Sequence, residues 1–147
     1  MAIINGTELN DILTALNVDI NGIGDEIYGL GGNDQLHGGD GIDTLNGGAG
    51  DDLLFLGAGD YGNGGEGADA FALHDIRSGD AVAQITDFDP AEDSLVVLYD
   101  ADLHPDPVLT LNQTEGGEAT LLLDGVPLVN LGAVTGIDLG AIQLRAA

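Results

Sequence analysis

Aspartates at a fixed spacing are the feature of this sequence that points most directly to chemistry. Asp25, Asp34, Asp43 and Asp52 stand nine residues apart, and an apolar residue follows each of them two positions later. Glycine is dense around them, with 17 of the 25 glycines between positions 22 and 67. Glycine-rich turns expose backbone carbonyls, and carbonyl and carboxylate oxygens are the ligands that hard cations prefer. The spacing therefore indicates cation binding rather than an acid–base pair in a cleft.

A nine-residue repeat underlies this spacing. Its clearest copies are Gly38–Asn46, Gly47–Phe55 and Gly64–Ala72, with a worn copy over 6–13. Five extra residues (15–19) interrupt the run, and one residue is missing from 56–63, where Gly62 replaces the apolar residue. A flexible Gly-Asp linker would have the same composition, but a linker does not need a fixed spacing between Asp and an apolar residue. Six Asp positions (11, 25, 34, 43, 52 and 69) are each followed two positions later by an apolar residue, which favours a folded repeat.

The pattern G-G-x-G-x-D-x-U-x, with U apolar, resembles the RTX (repeats-in-toxin) calcium-binding nonapeptide over residues 6–73. That resemblance implies an all-β fold, a parallel β-roll in which six residues form a calcium-binding turn and three form a strand. Successive turns would lie on alternate edges, with calcium between a repeat and the next but one. Glycine at the first, second and fourth positions allows positive φ. One apolar anchor per nine residues cannot offset the chain entropy, so we expect the roll to need metal to fold.

Repeat phase and the resemblance together predict the metal ligands. The expected carboxylate ligands are Asp11, Asp25, Asp34, Asp43, Asp52, Asp60 and Asp69. The expected carbonyl ligands are Gly22, Gly24, Gly32, Gly39, Gly41, Gly48, Gly50, Gly65 and Gly67. Alternation of edges pairs Asp25 with Asp43, Asp34 with Asp52, Asp52 with Asp69, and more weakly Asp43 with Asp60 and Asp11 with Asp34. The cofactor is thus expected to be Ca²⁺, in about three to six copies.

The second half has a different composition, and we place a boundary between a roll at 1–73 and a β-rich cap at 74–147. Four to six strands are expected, with hairpin signals at Asp124-Gly125 and a turn at 115–118. The sequence stretches 69–71, 78–80, 85–89 and 92–95 resemble the segment that follows the last nonapeptide in serralysin-type protease C-terminal domains and in mannuronan epimerase R-modules. That resemblance implies that Asp87 and Asp93 help the last calcium sites. It also implies an uncleaved C-terminal signal for the type I secretion apparatus.

The composition narrows the function classes. The formal charge is −24, from 26 Asp and Glu against two Arg and no Lys, which excludes nucleic-acid binding. Cysteine is absent, and neither a cleavable N-terminal signal nor a membrane span is evident. No catalytic motif is present, since His37, His74 and His104 are scattered and no nucleophile elbow occurs. We therefore expect a bacterial extracellular protein that is not an enzyme.

Two functions remain for such a chain. The first is a secreted calcium-binding module that folds on meeting extracellular calcium and supports type I secretion, because millimolar affinities suit extracellular calcium sites. The second is an R-module that binds a polysaccharide such as alginate, or a surface, as part of a larger extracellular enzyme. Alginate is a polyanion, and two Arg with no Lys make a poor partner for it, so the first function ranks higher.

Overall fold

The computed structural model describes residues 1–15, 23–74, 76–77 and 79–147. Within those ranges the chain forms strands and one short 3₁₀ helix. The strands of the first half are β1 (Ile3–Asn5), β2 (Ile12–Thr14), β3 (Glu26–Gly31), β4 (Gln35–His37), β5 (Thr44–Ala49), β6 (Leu53–Leu56), β7 (Tyr61–Glu66) and β8 (Ala70–Leu73). Those of the second half are β9 (Ala83–Ile85), β10 (Ser94–Tyr99), β11 (Leu109–Gln113), β12 (Glu118–Leu123), β13 (Val126–Ala133) and β14 (Gln143–Ala146), with the 3₁₀ helix at Leu139–Ala141.

Consecutive strands of the first half alternate between two sheets. Sheet A has the order β1-β3-β5-β7-β9-β13-β12-β11, and sheet B has the order β14-β10-β8-β6-β4-β2. Every pairing from β1 to β10 is parallel, so one turn of the chain crosses from sheet A to sheet B and back. This arrangement is a parallel β-roll, and the predicted fold class is confirmed.

The apolar residue of each repeat points into the space between the sheets. Ile27 and Leu45 on sheet A, and Leu36, Leu54 and Phe71 on sheet B, have no exposed surface. Neighbouring side chains along each strand face outward, because successive residues of a strand point to opposite faces. Each of these strands therefore places the apolar residue of its repeat in the core, as the sequence pattern requires.

The second half adds strands to both sheets. β9 pairs in parallel with β7, and β10 pairs in parallel with β8, so the roll ladders continue past residue 73. β11, β12 and β13 form an antiparallel meander that extends sheet A from β9. Asp124 and Gly125 take φ of 50° and 81° in the β12–β13 hairpin, where the sequence predicts a turn. The domain boundary at 73/74 stays a prediction.

No helix in the described part of the chain has the length and apolar character needed to span a membrane.

Candidate metal sites

The turns that join the two sheets stack along two edges of the roll. The first edge holds the repeat turns that lead from sheet A to sheet B, at 6–11, 29–34, 47–52, 64–69 and 86–93, of which the middle three begin within the last residues of β3, β5 and β7. The second edge holds the turns that lead back, including 38–43, 56–60 and the described residues 23–25. Because repeats alternate between sheets, a turn on either edge lies next to the turn of the repeat two places away.

Aspartates of neighbouring turns are joined by hydrogen bonds along the first edge. The backbone N–H of Asp11 donates to Oδ1 of Asp34 at 2.7 Å, and that of Asp34 donates to Oδ1 of Asp52 at 2.7 Å. The series continues from Asp52 to Asp69 at 2.9 Å and from Asp69 to Asp93 at 3.0 Å. Each of these carboxylates therefore lies against the turn before it.

The second edge has the same arrangement. The backbone N–H of Asp25 donates to Oδ1 of Asp43 at 2.6 Å, and that of Asp43 donates to Oδ1 of Asp60 at 2.8 Å. The structure therefore brings together all five Asp pairs that the alternation of edges predicts. Whether each pair holds an ion stays a prediction.

The second carboxylate oxygen separates these aspartates into two groups. In Asp34, Asp43 and Asp52 the Oδ2 atom is buried and has no hydrogen-bond partner. A buried polar atom without a partner costs about 1–3 kcal/mol, and more when it carries charge. Oxygen with free lone pairs in a buried turn is the donor that Ca²⁺ requires, so these residues fit a calcium ion.

The space beside these oxygens is kept open by glycine at the first repeat position. A Cβ placed on Gly29 would meet Oδ2 of Asp34 and the carbonyl oxygen of Gly47. A Cβ placed on Gly47 would likewise meet Oδ2 of Asp52 and lie 2.5 Å from the carbonyl oxygen of Gly64. Each such glycine thus faces one carboxylate oxygen and one carbonyl oxygen, and any side chain there would occupy the space between them.

The electrostatics of the turns favour a cation. Burial, followed by the nearby carboxylates of Asp60 and Asp25, raises the pKa of Asp43 to about 6. Burial, followed by Asp93 and Asp52, raises the pKa of Asp69 to about 6. Both side chains are buried, so ionising them carries a desolvation penalty. A bound cation would offset that penalty.

At the two ends of the first edge, the Oδ2 atom of the aspartate accepts hydrogen bonds from other groups of the protein. Thr7 donates to Oδ2 of Asp11 from its N–H at 2.6 Å and from its hydroxyl at 2.8 Å. The N–H of Asp89 donates to Oδ2 of Asp93 at 2.8 Å. The terminal turns are therefore closed by protein donors, whereas the turns of Asp34 and Asp52 between them are open.

The shortened repeat closes one turn of the second edge in the same way. The N–H of Gly57 donates to Oδ2 of Asp60 at 2.7 Å, and the N–H of Asp60 lies 3.3 Å from the carbonyl oxygen of Gly57. Burial raises the pKa of Asp60, and the hydrogen bonds from Asp43 and Gly57 oppose that rise. Asp60 is thus partnered without an ion.

Asp87, predicted as a helper ligand, caps the neighbouring turn. Its two carboxylate oxygens accept the N–H groups of Gly64 at 2.9 Å and Gly65 at 2.7 Å. These contacts hold the turn of Asp69 against the 86–93 turn. The ligand role of Asp87 and Asp93 stays a prediction.

The predicted glycine ligands fall into two conformational classes. Positive φ occurs at the second and fourth repeat positions, for example 108° at Gly48 and 127° at Gly50. The other predicted glycines with positive φ are Gly32, Gly39, Gly41, Gly65 and Gly67. Gly24 is outside that class, and a Cβ there would overlap the carbonyl of Ile42. Gly22 lies outside the described residues.

The expectation of positive φ at the first repeat position is wrong. Gly29, Gly38, Gly47 and Gly64 all lack positive φ. Their glycine is required by close approach of the aspartate and of the next turn, as described above for Gly29 and Gly47. Leu30, at a second position, takes φ of 80°, which costs a residue with a Cβ about 1–2 kcal/mol.

A second ladder on the first edge was missed by the reasoning from sequence. The N–H of Asn33 donates to Oδ1 of Asn10 at 2.8 Å, and the N–H of Asp51 donates to Oδ1 of Asn33 at 3.1 Å. The N–H of Ala68 then donates to Oδ1 of Asp51 at 2.9 Å. The sequence feature that could have predicted this ladder is an Asn or Asp immediately before the repeat aspartate in turns that share an edge.

No group of three or more His, Asp or Glu side chains converges on one point within the described residues. A cation in these turns would therefore depend on one or two carboxylates together with backbone carbonyls. His37 stacks on Phe55, with ring centroids 4.1 Å apart, on the outer face of sheet B.

Comparison with known proteins confirms the resemblance of the repeats. The model of the RTX calcium-binding nonapeptide repeat (four copies) matches residues 28–62. No curated protein matches the chain.

Several solved structures are similar to the chain. The AlgE6R2 subunit of the Azotobacter vinelandii mannuronan C5-epimerase is 29% identical, with 97% of this chain and 92% of that chain covered and a TM-score of 0.40. The extracellular lipase LipA from Serratia marcescens is 23% identical, with 97% of this chain but 21% of that chain covered and a TM-score of 0.38.

Proposed function

Because residues 28–62 match the RTX calcium-binding nonapeptide repeat, we propose that the chain is a non-catalytic extracellular module whose roll folds when calcium binds. The observation that carries this proposal is the set of buried, unpartnered Oδ2 atoms of Asp34, Asp43 and Asp52. Each is a ligand atom that the protein alone leaves unsatisfied. Calcium, when bound, supplies the positive charge that these carboxylates lack.

The ligands at each inner turn come from two neighbouring turns of one edge. Asp34, with the carbonyl of Gly47, and Asp52, with the carbonyl of Gly64, would hold ions on the first edge. Asp43 would hold one on the second edge, where a Cβ on Gly38 would lie 2.8 Å from its Oδ2. Asp25 and Asp69 would share ions with Asp43 and Asp52, their partners two repeats away, and the expected total is about three to six ions.

Net charge supports the same proposal. The chain carries a formal charge of −24, and along each edge the carboxylate of one aspartate accepts a hydrogen bond from the backbone N–H of the aspartate in the turn before it. Each calcium ion removes two negative charges, so five ions would leave about −14. Binding therefore relieves repulsion in the folded state, which the unfolded chain feels less because its charges are further apart.

We infer an export role from this dependence on calcium. In the cytosol, where free calcium is low, the roll would lack its ligand and the chain would stay unfolded. An unfolded chain suits passage through a type I secretion channel. Extracellular modules bind calcium with dissociation constants of about 10⁻⁴ to 10⁻³ M, so folding would follow export.

A calcium titration tests the proposal. Far-ultraviolet circular dichroism and hydrodynamic radius would be recorded on the full chain with chelator, with Ca²⁺ and with Mg²⁺. We expect disorder in chelator, a cooperative gain of β-structure with Ca²⁺, and little response to Mg²⁺, which demands octahedral geometry and retains its water. A spectrum and radius that do not change between chelator and Ca²⁺ would contradict the proposal.

A further inference from the structure

The outer face of sheet A differs from the rest of this acidic molecule. On the four roll strands β3, β5, β7 and β9, to which the name is restricted from here on, it consists of the outward-facing residues that flank the in-register positions 27, 45, 62 and 85. These residues are Glu26, Tyr28, Thr44, Asn46, Tyr61, Asn63, Gln84 and Thr86. Glu26 is the one carboxylate in this set, although the chain has 26 acidic residues. The face is therefore nearly uncharged and is made of amides, hydroxyls and two aromatic rings.

The residues of this face form two straight rows because the strands are parallel and in register. Tyr28, Asn46 and Asn63 are aligned across β3, β5 and β7. The amide of Asn63 donates to the hydroxyl of Thr86 at 2.9 Å, which extends the row to the residue after β9. The second row, also in register, contains Thr44 and Tyr61.

A shallow groove of about 420 Å³ lies on this face. Tyr28, Thr44, Asn46, Tyr61, Asn63 and Thr86 are among the residues that line it. Tyr61 is 48% exposed, whereas Tyr28 is half-buried and donates its hydroxyl to Glu26 at 3.1 Å. Strand spacing and register place the Cα atoms of the two tyrosines about 12 Å apart. That distance is comparable to the length of two sugar units in a linear polysaccharide.

We propose that the outer face of sheet A binds a neutral linear polysaccharide. Tyrosine rings offer flat apolar surface to the faces of sugar rings, and rigid aromatic side chains do so at low entropic cost. Amide and hydroxyl groups of Asn46, Asn63 and Thr44 match the mixed donors and acceptors of sugar hydroxyls. The parallel rows present these groups at a regular repeat, as a regular polymer requires.

Charge decides between a neutral and an anionic chain. The face carries no Lys or Arg, and the surrounding molecule is strongly negative. A polyuronate would be repelled, whereas a neutral glycan would not interact with this field. The proposal goes beyond calcium-driven folding and rests on the sheet alone, since calcium serves only to keep the protein folded in the experiment.

The test is titration of the calcium-saturated full chain with neutral hexasaccharides. Cellohexaose, xylohexaose and mannohexaose would be compared with an alginate hexamer by calorimetry and by amide chemical shifts. We expect at least one neutral hexasaccharide to bind at millimolar concentration and to shift the amides of Tyr28, Asn46 and Tyr61. Shifts confined to other surfaces, no binding by any neutral hexasaccharide, or binding of alginate alone would overturn the proposal.

Substitutions separate ring stacking from other effects. Tyr61→Ala should weaken binding about tenfold, the loss expected for one aromatic contact, whereas Tyr61→Phe should bind nearly as well as the parent. Gln35→Ala, exposed on the outer face of sheet B, is the matched control and should change nothing. Circular dichroism in calcium would show that each variant folds. Equal binding by Tyr61→Ala and the parent would reject the proposed face.

Discussion

Leu56 fills the core space that Gly62 leaves without a side chain. A Cβ placed on Gly62 would lie 2.9 Å from Cδ1 and 3.2 Å from Cδ2 of Leu56, and Leu56 has no exposed surface. Gly62 stands in register with Leu45 on one side and Ile85 on the other, both of which are buried. One leucine from sheet B therefore replaces the side chain missing from sheet A.

The shortened repeat explains why a leucine at position 56 can fill the space beside Gly62. Leu56 stands at the first repeat position, where other turns have the glycine that keeps space beside an aspartate oxygen. Loss of one residue from the turn lets the N–H of Gly57 reach Oδ2 of Asp60, so no space for an ion is needed there. The turn has lost the features of an open cation site and has gained a core side chain.

The first prediction concerns this pair. In saturating calcium, Leu56→Ala should lower the free energy of unfolding by about 2–5 kcal/mol, because it leaves a cavity. Gly62→Leu should lower it by about 1–3 kcal/mol or more, because the site is already filled. The double variant should lose less than the sum, with a coupling of about 0.5–3 kcal/mol.

Urea unfolding of the four proteins measures this coupling. Ile12→Ala, which removes an apolar side chain that is 72% exposed, is the control and should change stability by less than about 0.5 kcal/mol. Simple additivity of Leu56→Ala and Gly62→Leu would show that the two positions do not share one space.

Repeat phase accounts for most of what the sequence predicts correctly. The period of nine locates the turns, and the resemblance to the RTX nonapeptide implies that successive turns lie on alternate edges. That alternation in turn brings together pairs such as Asp34 with Asp52 and Asp25 with Asp43. The same motif recurs in each repeat, so the resemblance that one copy carries predicts the equivalent pair in the others.

Features that depend on contacts between non-equivalent segments could not be predicted. Nothing in the repeat indicates that Asp87 would cap Gly64 and Gly65, or that Thr7 would satisfy Asp11. The antiparallel meander of β11–β13 joins sheet A through β9, a pairing between Val129 and Ala83 that no periodicity encodes. Such contacts depend on how the whole chain packs, which the repeat pattern does not describe.

The second prediction is that Asp43→Asn has opposite effects on stability in the absence and in the presence of calcium. Asp43→Asn keeps the shape of the side chain but removes a buried negative charge whose pKa is raised to about 6, chiefly by burial. In chelator the variant should therefore be folded to a greater extent than the parent. In calcium it should be less stable, and its calcium midpoint should be higher, because ligand charge sets affinity.

Asp40→Asn is the matched control, since Asp40 is three residues away in the same turn and is exposed. Its calcium midpoint should differ little from that of the parent. Both variants would be titrated with calcium and followed by circular dichroism. If Asp40→Asn raised the midpoint as far as Asp43→Asn, the assignment of ligands by repeat phase would be wrong.

The third prediction is a pH dependence with opposite signs in the two metal states. Burial raises the pKa of Asp43 and Asp69 from 3.8 to about 6, so the folded metal-free chain binds protons more tightly than the unfolded chain. Stability of the metal-free protein should therefore rise as the pH falls through about 6, and the gain should be complete below the unfolded value. With calcium, protons compete for the same oxygens and affinity should fall over that range.

Far-ultraviolet circular dichroism of protein stripped of metal on a chelating resin, recorded from about pH 7 to about pH 4, would check the metal-free case, where β-structure should increase on acidification. Calorimetric titration with calcium over the same range would check the calcium-bound case. A metal-free protein that gained no β-structure on acidification would contradict the raised pKa values of these buried carboxyls.

The fourth prediction separates the two roles of glycine in the turns. A methyl group at position 47 would occupy the space between Oδ2 of Asp52 and the carbonyl oxygen of Gly64. Gly47→Ala should therefore raise the calcium midpoint strongly, although the backbone at this position lacks positive φ and tolerates alanine. Gly116→Ala is the control, because Gly116 also lacks positive φ and a Cβ there meets only the Thr114 hydroxyl at 3.7 Å.

Calcium titrations of the two glycine variants, followed by circular dichroism, give the readout. The Gly116→Ala variant should bind calcium like the parent and be equal or slightly more stable, by up to about 1 kcal/mol, because alanine restricts the unfolded chain. The Gly47→Ala variant should need more calcium to reach the same folded signal, because its methyl group competes with the ion for one space. Equal midpoints for the two variants would mean that the space beside Asp52 is not where the ion binds.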